Sequence, residues 1–95
     1  MSLVARPNEP FTLRRFGNPG GTGYRWKLEL SPGLQLLKEE FVPSAGGLLG
    51  AGGSYIWTIV ATVCASPQTI VAQYGRPWED PAMYTLDVIR VDIVC

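Results

Sequence analysis

Apolar residues recur at every second position in the longer uninterrupted stretches of this sequence. In YRWKLEL (24–30), Tyr24, Trp26, Leu28 and Leu30 alternate with charged residues. This pattern is typical of a strand that buries one face. Because strand side chains point alternately to opposite faces, sheets built from such stretches must pack against one another. The sequence therefore predicts an all-β fold.

Six further stretches complete the predicted set of strands. They are residues 3–5, PFTLRRF (10–16), LQLLKEEFV (34–42), SYIWTIVATV (54–63), TIVAQY (69–74) and MYTLDVIRVDIV (83–94). For residues 34–42 local propensity also allows a helical turn, and that alternative stays open. Seven short strands at a spacing of about ten residues predict an immunoglobulin-like antiparallel β-sandwich. We expect a single domain that comprises residues 1–95.

The last predicted strand changes the face on which its apolar residues fall. Tyr84, Leu86 and Val88 share one parity, whereas Ile89 and Val91 share the other. One extra residue in a strand swaps the side chains between its two faces. We therefore expect a β-bulge between Val88 and Ile89.

Three long connections are predicted to lie at one end of the sandwich. They are the first loop (17–23), the second loop (43–53) and the third loop (75–82). Successive connections in an antiparallel sandwich alternate between its two poles, and two strands separate each of these loops from the next. The tight connections SPG (31–33) and ASPQ (65–68) then fall at the other pole. The glycines and the Arg-Pro-Trp segment are thus gathered at one end.

Charge and composition exclude several classes of function. Eight basic and eight acidic residues leave no net charge and no basic stripe, which disfavours nucleic-acid binding. No apolar run approaches the roughly 18 residues of a membrane-spanning helix. The chain has no histidine, which removes the commonest general base and metal ligand. Glu79 and Asp80 are interpreted as solvated turn residues, so we expect no enzyme, no catalytic residue, no metal and no cofactor.

The cysteines and the N-terminus bear on the cellular compartment. Cys64 and Cys95 form neither a CxxC pair nor a disulfide lattice, and neither has a base motif beside it. Both are expected at the pole opposite the three loops, so a disulfide is conceivable and the sequence leaves their pairing open. The N-terminal residues 1–10 lack the apolar region of a signal peptide. Because Met-Ser-Leu could replace a removed signal, the localisation stays unknown, with a periplasmic or secreted protein as one alternative.

The second loop holds more glycine than tight turns need. In GGLLGAGG (46–53), close approach of the bare backbone to a partner is one interpretation, and positive backbone φ is the other. Phosphate binding is disfavoured because no helix and no lysine follow the glycines. Leu48 and Leu49 interrupt them, and we expect one to tuck under the loop while the other is an apolar contact.

The third loop places a cation beside a proline and a tryptophan. Trp78 could fold back over the end of the sandwich, or it could stand out as a binding anchor, since Trp and Arg are enriched among hot spots. Pro77 fixes its own φ and lowers the entropy that the loop loses on binding. Arg76 could brace the loop or meet a carboxylate of a partner.

Three motifs in these loops occur in the order of a known family. GNPGGTGYRW (17–26), LLGAGG (48–53) and GRPW (75–78) closely resemble the signature loops of the chagasin-type inhibitors of papain-like cysteine proteases. The family pattern is NPTTG followed by an aromatic, a variable residue and Trp, then GxGG, then RPW. NEPFTL (8–13) resembles the strand before the first loop, so the resemblance covers nearly the whole chain. The chain departs from the pattern with NPGGTG, one residue longer, which makes ordering this loop costlier on binding.

The resemblance implies a reversible, tight-binding inhibitor that occludes the active-site cleft of a papain-like, cathepsin-type cysteine protease. The implied protease-binding residues are Asn18, Pro19, Gly20, Gly21, Thr22 and Gly23 in the first loop, Leu49, Gly50, Ala51, Gly52 and Gly53 in the second, and Arg76, Pro77 and Trp78 in the third. In the family the first loop enters the catalytic centre and the other two flank it. We expect a monomer. The alternative is a non-inhibitory immunoglobulin-like adhesion or carbohydrate-binding module, which would leave protease activity untouched.

Overall fold

In the residues that the computed structural model describes, 2–17, 23–43 and 52–95, seven strands form two sheets. The strands are β1 (Ser2–Ala5), β2 (Phe11–Gly17), β3 (Arg25–Leu30), β4 (Leu34–Pro43), β5 (Gly53–Ala61), β6 (Gln68–Gly75) and β7 (Thr85–Ile93), and a short 3-10 helix, Pro81–Met83, precedes β7. The segment for which a helical turn stayed open is therefore a strand, β4. Within the described ranges, no helix is long and apolar enough to cross a membrane.

The two sheets form the immunoglobulin-like sandwich that the sequence predicts. One sheet has the strand order β1-β7-β6-β3, and the other has the order β2-β5-β4. Consecutive neighbours in both sheets pair antiparallel, except that β1 runs parallel to β7 along one edge. The N-terminal edge strand expected near residues 3–5 is thus present, and it extends the sheet that carries the third loop.

The core lies between the inward faces of the two sheets. The alternation predicted for β5 is confirmed, because Trp57, Ile59 and Ala61 are buried. From the other sheet, Ile70 and Ile89 pack into the same cluster and are fully buried. Burying each large apolar side chain contributes roughly 1.5–3 kcal/mol. This core fixes the strand ends from which the loops depart.

The prediction of a β-bulge between Val88 and Ile89 is wrong. The pairing of β7 with β6 passes through both residues without a change of register. Asp87 points inward instead of Leu86, and its Oδ2 lies 2.6 Å from Nη2 of Arg15 on the opposite sheet. Because this ion pair compensates the carboxylate, a charged residue can occupy an inward position. Leu86 and Val88 consequently lie on the outer face and are exposed.

The described strands have their irregularity in β4 instead. Its pairing with β5 shifts register between Leu36 and Lys38, which leaves Leu37 as the extra residue. After this bulge Phe41 comes opposite Tyr55, and the two ring centroids lie 5.1 Å apart in an edge-to-face arrangement. The bulge therefore determines which side chains of β4 face the aromatic rings of β5, such as Tyr55, near the end where the second loop begins.

The end of the sandwich opposite the predicted loops is closed by covalent and hydrogen-bonded contacts. Cys64 and Cys95 form a disulfide, which settles the pairing that the sequence left open. The buried Gln68 accepts hydrogen bonds from Ser31 Oγ at 2.6 Å and from the Gly33 N–H at 3.2 Å. Both tight connections predicted at this pole thus meet there.

Candidate functional site

Strand pairing brings the roots of all three loops to one end of the sandwich. Gly17, where β2 ends, pairs with Gly53 at the start of β5, and Pro43 at the end of β4 pairs with the same glycine. In the other sheet, Arg25 at the start of β3 pairs with Gly75 at the end of β6. The first, second and third loops therefore leave from the same pole.

The predicted binding residues divide into two groups. Those that lie outside the described residues are Asn18, Pro19, Gly20, Gly21, Thr22, Leu49, Gly50 and Ala51. Those that the structure describes are Gly23, Gly52, Gly53, Arg76, Pro77 and Trp78. The second group consists of the exit of the first loop, the exit of the second and the turn of the third.

The third loop is a tight turn that carries Trp78 at its tip. The Glu79 N–H donates to the carbonyl of Arg76 at 3.0 Å, which closes residues 76–79 into a β-turn. Pro77 takes the second position, where its fixed φ is favoured. The Trp78 side chain is 71% exposed. In the free protein the Trp78 side chain therefore stands outward and does not fold back over the end of the sandwich.

One edge of the Trp78 indole rests against Gly23, the last residue of the first loop. Gly23 has a φ of +79°, and a Cβ at this position would overlap Cη2 of Trp78. Glycine is the residue that adopts this backbone conformation without strain and leaves room for the ring. The exit of the first loop and the tip of the third are thus in direct contact.

Arg76 braces the third loop from below. Its Nη1 lies 3.1 Å from Oε1 of Glu79, across the base of the turn. Its Cζ lies 4.4 Å from the ring centroid of Tyr24, in a cation–π contact. Such contacts contribute about 0.5–1 kcal/mol at exposed sites. Of the two roles that the sequence left open for Arg76, bracing is the one seen in the free protein.

An aromatic stack connects this brace to both sheets. The ring centroids of Tyr24 and Tyr74 lie 5.2 Å apart in a stacked arrangement, and those of Trp26 and Tyr74 lie 4.6 Å apart. The Trp26 Nε1–H donates to the carbonyl of Phe16, on the opposite sheet, at 2.8 Å. Sequence reasoning missed the supporting role of Tyr24 and Tyr74. The available signal was an aromatic residue at each of the two strand ends that flank the motif loops.

Of the two acidic residues of the third loop, Glu79 is less solvated than expected, whereas Asp80 is exposed as expected. Glu79 is half-buried and pairs with Arg76. Asp80 Oδ1 accepts a hydrogen bond from the Ala82 N–H at 3.0 Å and caps the 3-10 helix Pro81–Met83. Both carboxylates thus shape the loop, because each satisfies a donor within it.

The exit of the second loop depends on closely packed glycine. Gly52 has a φ of +78°. Gly53 is buried, and a Cβ there would overlap the carbonyl oxygen of Val42 on the neighbouring strand. This packing requires glycine at residue 53 for the fold itself, whatever else the loop contacts.

Burial at this pole acts on the ionisation of the Tyr55 phenol. Burial raises the pKa of the Tyr55 phenol above its ordinary value of 10.0, while nearby Arg25 acts in the opposite direction. The phenol is therefore neutral at physiological pH. Across the described part of the chain, no group of three His, Cys, Asp or Glu residues is arranged to hold a metal ion.

Comparison with known proteins identifies the family. The model of the chagasin family peptidase inhibitor I42 matches residues 4–91. The chain belongs to the chagasin family. Members of this family are protease inhibitors rather than enzymes, and they bind papain-like cysteine proteases. The expectation that the chain is not an enzyme is therefore confirmed by its membership.

Two solved structures share the fold of this chagasin-family chain. The solution structure of amebosin is 30% identical, with a TM-score of 0.75, and the match covers 98% of this chain and 88% of amebosin. The crystal structure of the cysteine protease inhibitor EhICP2 from Entamoeba histolytica is 23% identical, with a TM-score of 0.78, and the match covers 98% of this chain and 86% of that one. A comparison with curated proteins finds no match.

Proposed function

We propose that this chain is a reversible, tight-binding inhibitor that occludes the active-site cleft of a papain-like cysteine protease. The observation that carries the proposal is the exposed Trp78, held on a braced turn in a chain of the chagasin family. A monomeric protein that keeps a tryptophan this exposed leaves a large apolar surface for a partner to bury. The contact of Trp78 with Gly23 extends this surface to the first loop.

The three loops have different roles in the proposed mechanism. A papain-like protease attacks with the thiolate of a Cys–His pair at the base of a groove. The first loop covers this nucleophile through its residues 18–23, with Thr22 as a polar contact near it. The second loop lies along one side of the groove through the backbone of its residues 49–53. The third loop packs Trp78 on the other side, so the groove is filled without offering the thiolate a peptide bond to cleave.

Preorganisation supports tight binding through the third loop. The Glu79-to-Arg76 hydrogen bond, the ring of Pro77 and the cation–π contact with Tyr24 hold the turn before any partner arrives. A loop that is already ordered loses less conformational entropy on binding. An interface of about 800 Å² per partner is sufficient for nanomolar affinity when its anchor is well buried. No covalent step is needed.

The experiment is a titration of papain and a cathepsin L-type enzyme with the purified protein, followed by residual peptidase activity. We expect reversible inhibition at nanomolar concentrations and recovery of the intact protein by mass spectrometry. Trp78→Ala should weaken inhibition by about 2 kcal/mol or more, a rise in Ki of about 30-fold. Because Trp78 is largely exposed, its free energy of unfolding should change little.

Met83→Ala is the matched control. Met83 is 72% exposed, belongs to the same connection and lies outside the motif. Its replacement should leave Ki within a factor of about two, as exposed contacts away from the anchor do. Unchanged inhibition by folded Trp78→Ala protein would remove the anchor role. Absence of inhibition by the unmodified protein at micromolar concentrations would instead favour a non-inhibitory binding module.

A further inference from the structure

A groove of about 590 Å³ opens beside the third loop, on the outer face of the β1-β7-β6-β3 sheet. Its lining includes Gln73 and Gly75 of β6, which form the middle of the groove because β6 lies between β3 and β7. On one side, β3 contributes Arg25 and Lys27, which pair in register with these two residues. The groove is separate from the loop tips but begins at the root of the third loop.

The other side of the groove is apolar and aromatic. It is lined by Pro77, Pro81 and Tyr84. The Tyr84 ring lies directly against the backbone of Gly75, where a Cβ would overlap the ring. Pro77 also belongs to the turn that presents Trp78, so the groove is continuous with the proposed inhibitory surface.

The charge of the groove is concentrated near the loop pole. Arg25 and Lys27 are exposed, and among the described residues neither forms an ion pair. Arg76, in contrast, is paired with Glu79 inside its own loop. Glu29 lines the far end of the groove. In a chain without net charge, two cations here make a local positive surface that complements carboxylates.

We propose that this groove binds an acidic, extended peptide segment. Its carboxylates would meet Arg25 and Lys27, while an aromatic or proline side chain would pack on Tyr84. Residues 25–29 of β3 extend over about 13 Å, which matches about five residues of extended chain. In the inhibited complex this segment belongs to the protease surface beside the Trp78 contact, a step that rests on the proposed function.

The two cations act mainly on the rate of association. Exposed charges steer an oppositely charged partner and lose this effect as salt screens them. Trp78, in contrast, contributes buried apolar area, which acts mainly on dissociation. The groove and the turn are therefore separable by kinetics, although they share Pro77.

The first arm of the test uses the inhibitor alone. A short blocked peptide of alternating glutamate and tyrosine is titrated into the labelled protein and followed by NMR, with a lysine–tyrosine peptide as the negative probe. We expect saturable shifts at the amides of Lys27 and Gln73. Arg25→Glu/Lys27→Glu should weaken the acidic peptide by about tenfold, because two exposed attractive pairs become repulsive. If that pair impairs folding, Lys27→Glu alone is used and should give a smaller loss.

The matched control is Arg6→Glu/Lys38→Glu, which makes the same change in net charge at two exposed residues outside the groove. It should bind the acidic peptide as the unmodified protein does. Equal weakening by the control would show a general charge effect, and absence of shifts at the groove would show that it takes no such segment. Either result overturns the proposal.

The second arm measures the association rate with a papain-like protease at low and high salt. We expect Arg25→Glu/Lys27→Glu to slow association by about tenfold at low salt, within the range of electrostatic steering. High salt should largely remove the difference from the unmodified protein. If the peptide occupies the groove but the rates are unchanged, assignment of the segment to the protease is overturned. If the peptide binds and no protease is inhibited, the proposed function fails while the peptide site stands.

Discussion

The two poles of this sandwich are stabilised by different interactions. At one pole a disulfide joins Cys64 to Cys95, and Gln68 satisfies its polar atoms through neighbouring backbone and side-chain groups. At the other, Arg76 and an aromatic stack support a turn whose Trp78 is 71% exposed. The polar groups of Gln68 at the first pole are satisfied within the molecule, whereas the second pole presents the exposed indole of Trp78. We infer that the first serves mainly stability and the second mainly binding.

The largest expected effect comes from opening the disulfide pole. Cys64→Ser/Cys95→Ser removes a cross-link between residues 31 apart in sequence. In the chain-entropy account, this should lower the free energy of unfolding by about 3–4 kcal/mol. Urea denaturation monitored by tryptophan fluorescence measures the loss. If the poles are independent, the variant should inhibit with nearly unchanged Ki under conditions where it remains folded.

Urea denaturation of the unmodified protein at increasing reductant concentration controls for effects of the serine side chains. Reduction of the disulfide should lower the free energy of unfolding by the same amount. Strong loss of inhibition by a variant that circular dichroism shows to be folded would contradict the separation. It would mean that the end of β7 transmits constraint along the strand to the third loop.

The next effect tests the contact between the first and third loops. Gly23→Ala places a β-carbon on a residue with a φ of +79°, at a cost of about 1–2 kcal/mol in the free energy of unfolding. It also displaces the Trp78 indole, so we expect Ki to rise as well. Urea denaturation and inhibition assays of the same preparation measure both quantities.

A double-mutant cycle shows whether the loss of inhibition acts through the indole. In Trp78→Ala protein, adding Gly23→Ala should cost less inhibition than in the unmodified protein, because the displaced ring is already absent. Additive effects would show that Gly23 affects binding independently of Trp78. The two loops would then contribute separately instead of forming one surface.

All seven strands of the described residues were predicted, and the inward side chains were placed correctly where the alternation is regular. Alternation located residues 24–30 and 54–63 because the inward positions of β3 and β5 are apolar. It failed in β7, where Asp87 takes an inward position through an ion pair with Arg15, 72 residues away in sequence. Periodicity treats apolar residues as inward, so the exposed Leu86 and Val88 produced an apparent change of phase.

The motifs of the candidate site were predicted from the sequence, but the aromatic residues that hold its third loop in place were not. The turn residues located the third loop at residues 75–82, since proline and its neighbours determine such a turn locally. Arg76 reaches Tyr24, and Tyr24 reaches Tyr74, because β3 pairs with β6 in one particular register. That register is a property of the folded sheet, as is the 5.9 Å between the Cα atoms of Cys64 and Cys95.

A smaller effect concerns the brace of the third loop. Arg76→Ala removes both the cation–π contact and the ion pair, and it should cost about 1 kcal/mol of stability. Glu79→Gln removes the charge of one partner and keeps a similar shape. It should cost less than about 0.5 kcal/mol, because the ion pair is partly exposed and screened. Urea denaturation at low and high salt separates the ion pair from the cation–π contact, since the ion pair is the more salt-sensitive of the two interactions.

For inhibition, the same two variants sharpen the comparison between bracing and direct contact. If Arg76 braces the turn, both should slow association while dissociation changes little, because fewer molecules hold the turn ready to bind. A large rise in the dissociation rate for Arg76→Ala, with Glu79→Gln unaffected, would instead assign Arg76 a direct contact with the protease.

The smallest effect is a fall in the free energy of unfolding at alkaline pH, caused by ionisation at the loop pole. Burial raises the pKa of the Tyr55 phenol above its ordinary value of 10.0, so the folded state favours the neutral form. This contribution to stability is fully present below pH 10.0 and is lost as the pH rises through the folded-state pKa. The free energy of unfolding should therefore fall over that window, and Tyr55→Phe should flatten the fall. The difference in tyrosinate absorbance between the unmodified protein and Tyr55→Phe follows this one ionisation. If the free energy of unfolding of Tyr55→Phe falls at alkaline pH as much as that of the unmodified protein, the phenol of Tyr55 is not the group through which alkali weakens the sandwich. The pH dependence would then not distinguish the two poles.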